Sequence, residues 1–271
     1  MTTSTPPAGS SVPRVSGAWR PGDPPGRRRF LSIGDVPLES GEVLPDVRVA
    51  YETWGRLSPS GDNAVLVLHA LTGDSHVVGG AGAGHPTPGW WEGLIGPGRP
   101  IGTDHWFVVA PNILGGCQGT TGPSSLGPTG RPWGRRFPFL TTRDQVTAEH
   151  RWAYALGVRQ WALVLGGSAG GMRALEWAVT YPDLVDRLFV LASTPYATGD
   201  QIAWCASQIA AIRADPTYRD GDYYNAPDGA WPHAGLAVAR QIAHTTYRSA
   251  FELNTRFGRD PQGDENPLAE G

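Results

Sequence analysis

Four short runs in which every residue is apolar constrain this chain most. They are Ala64-Val65-Leu66-Val67-Leu68, Phe107-Val108-Val109-Ala110, Trp161-Ala162-Leu163-Val164-Leu165 and Leu188-Phe189-Val190-Leu191. A half-solvated strand alternates apolar with polar residues, whereas a strand covered on both faces does not. Helical periodicity fills two of the gaps, over Asp144–Leu156 and Met172–Thr180. The second places Ala174, Leu175, Ala178 and Val179 on one face, with Pro182 beyond its end. Val47–Tyr51 alternates like a hairpin strand. Buried strands alternating with helices specify an α/β fold, a mostly parallel sheet flanked by helices.

The ends of the chain read differently. Residues 1–28 are rich in Pro, Gly, Ser and Arg, and a segment so poor in large apolar side chains is expected to be a disordered leader. Residues 29–193 form the expected α/β core. From Thr194 onward no strand-like run occurs; Gln201–Ala214 and Gly235–Thr245 read as helices around a polar loop, Asp215–His233, and the tail from Gly258 is polar. Residues 194–271 are therefore expected to be a lid-like helical extension.

Composition narrows the function classes. The formal net charge is -3 and there is no long basic run, so nucleic acid is not an expected partner. The apolar runs are too short to cross a membrane, and no secretory signal is visible, which points to the cytoplasm. The two cysteines, Cys117 and Cys205, make neither a disulfide framework nor a metal-binding spacing, so no metal is expected.

Gly166-Gly167-Ser168-Ala169-Gly170 fits G-x-S-x-G. It follows a buried strand and opens a helix, the setting of a nucleophile elbow. Glycines allow the tight turn, and the helix N-terminus offers free N–H groups to a developing oxyanion. Ser168 is the expected nucleophile. The loop His69-Ala70-Leu71-Thr72-Gly73-Asp74 follows the first buried strand, where the second oxyanion donor of such folds lies; the expected donors are the backbones of Leu71 and Ala169. The alternative is a Gly-rich turn in a non-catalytic α/β domain. His69 by itself reads as a packing or loop histidine.

With these residues in place the sequence resembles the homoserine O-acetyltransferase family, from about Leu31 onward. The resemblance rests on Leu68–His76, Pro88-Gly89-Trp90-Trp91, Leu114–Ser125, Arg143-Asp144-Gln145-Val146, Gly166–Trp177 and Ala239–Arg248, in that order. It implies an α/β-hydrolase fold and acetyl transfer from acetyl-CoA, a co-substrate, through acyl-Ser168 to the hydroxyl of L-homoserine, a step toward methionine, with no bound cofactor. It further implies that Arg240 holds the homoserine carboxylate, a task suited to a guanidinium fork, and that the protein is a homodimer. Thr120, Thr121 and Ser124 are further candidate substrate contacts, or plain turn chemistry.

The sequence also departs from the family. Ala169 stands where Met is usual, and Glu149-His150-Arg151-Trp152 is unusually polar and bulky for its helix, with His150 expected to be exposed. In this fold the acid and base follow the serine, on loops after later strands. No such strands are visible here, so the acid and base are expected to be absent and the chain to be a truncated, weakly active or inactive fragment. The pairs Asp228 with His233 and Asp215 with His244 are the substitutes the sequence offers. The alternatives are a succinyl- or serine-specific acyltransferase, an esterase, and a non-catalytic binding domain.

Overall fold

A computed structural model describes residues 16–226, 229–259 and 263. These fall into two compact units, Ser16–Tyr196 and the residues from Ala197 onward.

The first unit carries a six-stranded sheet. In chain order its strands are β1 (Arg29–Pro37), β2 (Val43–Trp54) and β3 (Ala64–Leu68), then, after a separate two-residue pair β4 (Ile95–Gly96) and β5 (Ile101–Gly102), β6 (Phe107–Pro111), β7 (Trp161–Gly167) and β8 (Leu188–Leu191). The spatial order is β1-β2-β6-β3-β7-β8. β1 and β2 form an antiparallel hairpin, β2 runs antiparallel to β6, and β6, β3, β7 and β8 are parallel. The continuous apolar runs thus became the parallel centre, and Val47–Tyr51 is the middle of the longer β2.

Both faces of β3 are buried. Ala64, Leu66 and Leu68 pack with Val146, Trp152, Ala174 and Trp177 of two helices, α1 (Thr142–Ala155) and α2 (Ala169–Thr180). Val65 and Val67 pack instead against Val77, Val78, Ile95 and Ile101. Helix α1 starts at Thr142 because Thr141 caps it: the Thr141 hydroxyl accepts from Asp144 N–H, and the Asp144 carboxylate accepts from Thr141 N–H at 2.9 Å.

Three expectations need correction. Residues 16–28 are not part of a disordered leader. Trp19 N–H donates to the Cys117 carbonyl, the Trp19 ring packs on Phe30, and Arg28 is buried; one Trp and one well-paired Arg anchor a segment that composition alone writes off. Residues 1–15 lie outside the described residues. Second, β8 is the last strand in the sheet order, and Phe189 is 52% exposed with Leu188 and Leu191 also open, so its apolar run is not covered on both faces here. Third, His150 is half-buried and stacks on Tyr181 at 4.2 Å.

The second unit is helical. Helix α3 (Gly199–Ala214), a 3-10 turn (Pro216–Gly221), α4 (His233–Thr246) and α5 (Ala250–Arg256) follow one another. Helices α3 and α4 approach closely at Gly235, where a β-carbon would lie 2.6 Å from the Ala211 carbonyl oxygen. Apolar periodicity does not single out α5. Its signal is the pair Ser249 and Glu252: the Ser249 hydroxyl accepts from Glu252 N–H at 3.1 Å.

Candidate active site

Ser168 joins β7 to α2 with φ 54° and ψ −124°. Positive φ is uncommon for a residue with a β-carbon and is concentrated where surroundings over-determine the backbone. Here they do. Ser168 N–H donates to the Leu191 carbonyl at 3.0 Å, and the Ser168 carbonyl accepts from Gly171 N–H, Met172 N–H and the Ser193 hydroxyl. A β-carbon on Gly166 would lie 2.2 Å from the Gly170 oxygen, and one on Gly171 would lie 2.5 Å from Ser193 Cβ. The glycines let strand and helix touch backbone to backbone. Ser168 itself is exposed.

The end of β3 meets the start of α2 equally closely. A β-carbon on Gly170 would lie 2.0 Å from the Leu68 oxygen and 2.8 Å from the His69 oxygen. The chain then turns: Gly73 N–H donates to the Ala70 carbonyl at 3.0 Å, which leaves Leu71 at the exposed tip of the turn. Leu71 N–H has no protein acceptor among the described residues. Ala169 is the first residue of α2, where helix N–H groups lack intrahelical partners.

His69 is not a base in waiting. It is buried; its Nδ1–H donates to the Ala70 carbonyl at 2.7 Å and its Nε2 accepts from Ile113 N–H at 3.1 Å. Burial and then the Arg173 charge lower its pKa to about 3. Among the other histidines of this unit, His150 stacks on Tyr181 beyond the far end of α2, and His105 precedes β6 at the opposite edge of the parallel strands. Ser168 Oγ makes no hydrogen bond to a protein group among the described residues.

Sequence reasoning missed the buried ion pair beneath the elbow. Arg173, fully buried one turn into α2, pairs with Glu149 of α1 through Nη1 and donates through Nη2 to the His69 carbonyl at 2.9 Å. Glu149 also accepts from Trp177 Nε1–H at 2.8 Å. The unusual polarity of the Glu149–Trp152 stretch was the available signal: two opposite charges on the inward faces of consecutive helices.

Glu52, His76 and His85 form the one candidate metal group among the described residues, with a donor atom each within 4.8 Å of one another. The geometry does not fit an ion. The two imidazoles stack with centroids 3.8 Å apart and planes 11° apart, so in-plane lone pairs cannot both converge on a point between the rings. His85 Nε2 already accepts from Arg27 N–H at 3.0 Å. The group is a hydrogen-bonded cluster in which Glu52 accepts from His76 Nδ1–H at 3.1 Å and from the Ser75 hydroxyl at 3.2 Å. Burial raises the Glu52 pKa, opposed by those hydrogen bonds, while burial and then the Arg28 charge lower His85 to about 4.

Thr120 and Thr121 are engaged in the fold. Thr120 Oγ1 accepts from Ala50 N–H and donates to the Asn112 carbonyl; Thr121 Oγ1 accepts from Arg48 N–H. Both hydroxyls tie their loop to β2. In the second unit Arg240 is exposed on α4. Asp215 accepts from Gly235 N–H, Thr217 N–H and the Thr217 hydroxyl, and these bonds, the hydroxyl's first, hold its pKa down at about 2. It is a helix-joining carboxylate and no partner for His244. Asp228 lies outside the described residues.

Comparison with known proteins fits this arrangement. Residues 63–269 match the family model of the alpha/beta hydrolase fold. The homoserine O-acetyltransferase of Thermobifida fusca is 60% identical over 258 residues, covering 95% of this chain and 68% of that protein. A crystal structure of homoserine O-acetyltransferase from Bacillus anthracis superposes with a TM-score of 0.78 at 29% identity, over 90% of this chain and 66% of that one. Esterase E22 superposes with a TM-score of 0.76 at 28% identity, over 84% and 63%. The chain spans 64% to 68% of the length of such curated relatives. By sequence and by fold, the chain belongs to the homoserine O-acetyltransferase family of α/β hydrolases.

Proposed function

We propose that the protein transfers an acetyl group from acetyl-CoA to the side-chain hydroxyl of L-homoserine. The observation that carries this reading is the strained, glycine-walled Ser168 turn, whose helix meets the end of β3 backbone to backbone, in a chain 60% identical to a homoserine O-acetyltransferase. Ser168 Oγ attacks the thioester carbonyl, and the carbonyl oxygen takes up charge facing Leu71 N–H and Ala169 N–H. The carbon–sulfur bond breaks with its electron pair going to sulfur, and the proton given up by Ser168 Oγ is passed by the general base to that sulfur, so CoA leaves as the thiol. The homoserine hydroxyl then attacks acyl-Ser168, regenerating the serine and releasing O-acetylhomoserine.

In this reading Arg240 pairs with the homoserine carboxylate. A serine hydroxyl is a weak nucleophile without a general base, and the imidazoles of the 16–196 unit are engaged or remote. We therefore place the acid and base outside that unit. No metal or cofactor takes part. The reaction belongs to the cytoplasm, where acetyl-CoA and a free amino acid meet, and no described helix is long and apolar enough to cross a membrane.

Resemblance to an esterase makes water the competing acceptor. Incubation with acetyl-CoA and L-homoserine, with products separated by mass, decides between them. The reading expects O-acetylhomoserine that requires Ser168. Acetate as the sole Ser168-dependent product would make the protein a hydrolase. Preference for succinyl-CoA or for L-serine in the same assay would reassign donor or acceptor.

A further inference from the structure

We propose that Arg173 is a positioning residue that sets the oxyanion loop, by holding the His69 carbonyl against the start of α2. The inference deepens the acyl-transfer reading and rests on it.

Three observations carry it. First, Arg173 divides its guanidinium between two tasks. Nη1 pairs with Glu149, while Nη2 donates to the His69 carbonyl at 2.9 Å. Second, that carbonyl belongs to the peptide that leads into the turn bearing Leu71, and it lies where a β-carbon on Gly170 would meet it at 2.8 Å. The orientation of the His69–Ala70 peptide therefore fixes where the next amide of the loop can point. Third, the His69 ring is locked from two sides, by the Ala70 carbonyl and Ile113 N–H. The loop is clamped by α2 through its backbone and by the loop after β6 through its side chain.

A buried arginine is a costly way to fill a helix interface. Buried ion pairs replaced by well-packed neutral residues are commonly neutral or stabilising. If Arg173 served packing alone, the pair with Glu149 would be dispensable once both charges are removed together. The second contact, to the His69 carbonyl, is the part a neutral pair cannot reproduce. Glu149 in turn holds the guanidinium in register and accepts from Trp177 Nε1–H, an acceptor that glutamine can also supply.

The test therefore compares Arg173→Met with the double variant Glu149→Gln/Arg173→Met in the full chain. The single variant strands a buried carboxylate and should lose stability; the double variant should recover most of the melting temperature. Amide hydrogen exchange is then followed in peptides covering His69–Asp74, with Trp161–Gly167 as the internal reference. A positioning role expects exchange in the loop to rise about 10-fold or more in the double variant, with the β7 reference unchanged.

Acylation of Ser168 by p-nitrophenyl acetate provides the second readout: Oγ bonds to the acetyl carbon, p-nitrophenolate leaves, and the hydroxyl proton passes to water. Oxyanion stabilisation persists when a triad is incomplete, and misplacement of a donor loop should slow this step about 10- to 100-fold. A double variant that regains its melting temperature and keeps both parental loop exchange and parental acylation overturns the proposal. If the parent itself shows no Ser168-dependent acylation, that result counts against the proposed function, and loop exchange alone decides the role of Arg173.

Discussion

A β-carbon on Gly170 would lie 2.0 Å from the Leu68 carbonyl oxygen, so the first turn of α2 and the end of β3 touch through bare backbone. That contact holds the nucleophile turn and the oxyanion loop at one edge of the sheet. Gly170→Ala must push two backbones apart and should destabilise the fold by about 1–3 kcal/mol, the usual range for overpacking. Gly199, with open space around its β-position, supplies the control: Gly199→Ala should be neutral or slightly stabilising. Melting curves for the two variants check this. Equal melting temperatures would mean that the close approach is not a constraint.

Acid should weaken the fold through its buried imidazoles. His69 and His85 are neutral when folded, with pKa values lowered to about 3 and about 4 by burial first and then by the charges of Arg173 and Arg28, respectively. Unfolded histidine titrates near ~6.5. Between those values the unfolded chain binds more protons, so stability present above about pH 6.5 is lost as pH falls toward 4. Glu52, whose pKa is raised, acts in the opposite sense, but His150, lowered by burial and then by the Arg151 charge, joins the other two imidazoles. The melting temperature should fall from pH 7 to pH 5, and less steeply in His69→Gln, whose amide oxygen can still accept from Ile113 N–H. A flat profile in the parent would contradict the buried neutral assignment.

The Glu52, His76 and His85 cluster should not bind zinc. Its stacked rings and the Arg27 N–H on His85 Nε2 leave no converging set of lone pairs. Equimolar zinc should leave the melting temperature unchanged, as should a chelator. A zinc-dependent rise abolished by His76→Ala would show that the rings rotate into a site.

Arg240 should act on the acceptor. With Ser168-dependent turnover established, Arg240→Ala should raise KM for L-homoserine by about 10-fold or more while changing KM for acetyl-CoA little, since a charged hydrogen bond to a carboxylate contributes about 1.5–3 kcal/mol. An unchanged KM for homoserine would remove Arg240 from the amino-acid site.

Much of this is legible in the sequence, for a physical reason. Runs such as Ala64–Leu68 carry no alternation because both faces are covered, and that property is local. The Ser168 turn was legible because its glycines are required by close backbone approach. What escaped depends on partners distant in sequence. Nothing near Trp19 announces that it packs on Phe30 and the Cys117 carbonyl. Nothing in either local sequence pairs Arg173 with Glu149 until two helices bring them together, 24 residues apart. The exposure of Phe189 depends on what pairs with β8, which its own sequence does not encode.

Peptide mapping after acetylation tests the nucleophile most directly. The chain and its Ser168→Ala variant are incubated with p-nitrophenyl acetate, quenched in acid and digested, and the peptide spanning Gly166–Arg173 is weighed. With its imidazoles engaged elsewhere, the 16–196 unit should take up one acetyl group slowly on Ser168 and release it slowly, so the adduct accumulates in the parent and is missing from Ser168→Ala. Ester consumption with no acetyl on that peptide, or an adduct elsewhere that persists unchanged in Ser168→Ala, would contradict Ser168 as the acyl carrier.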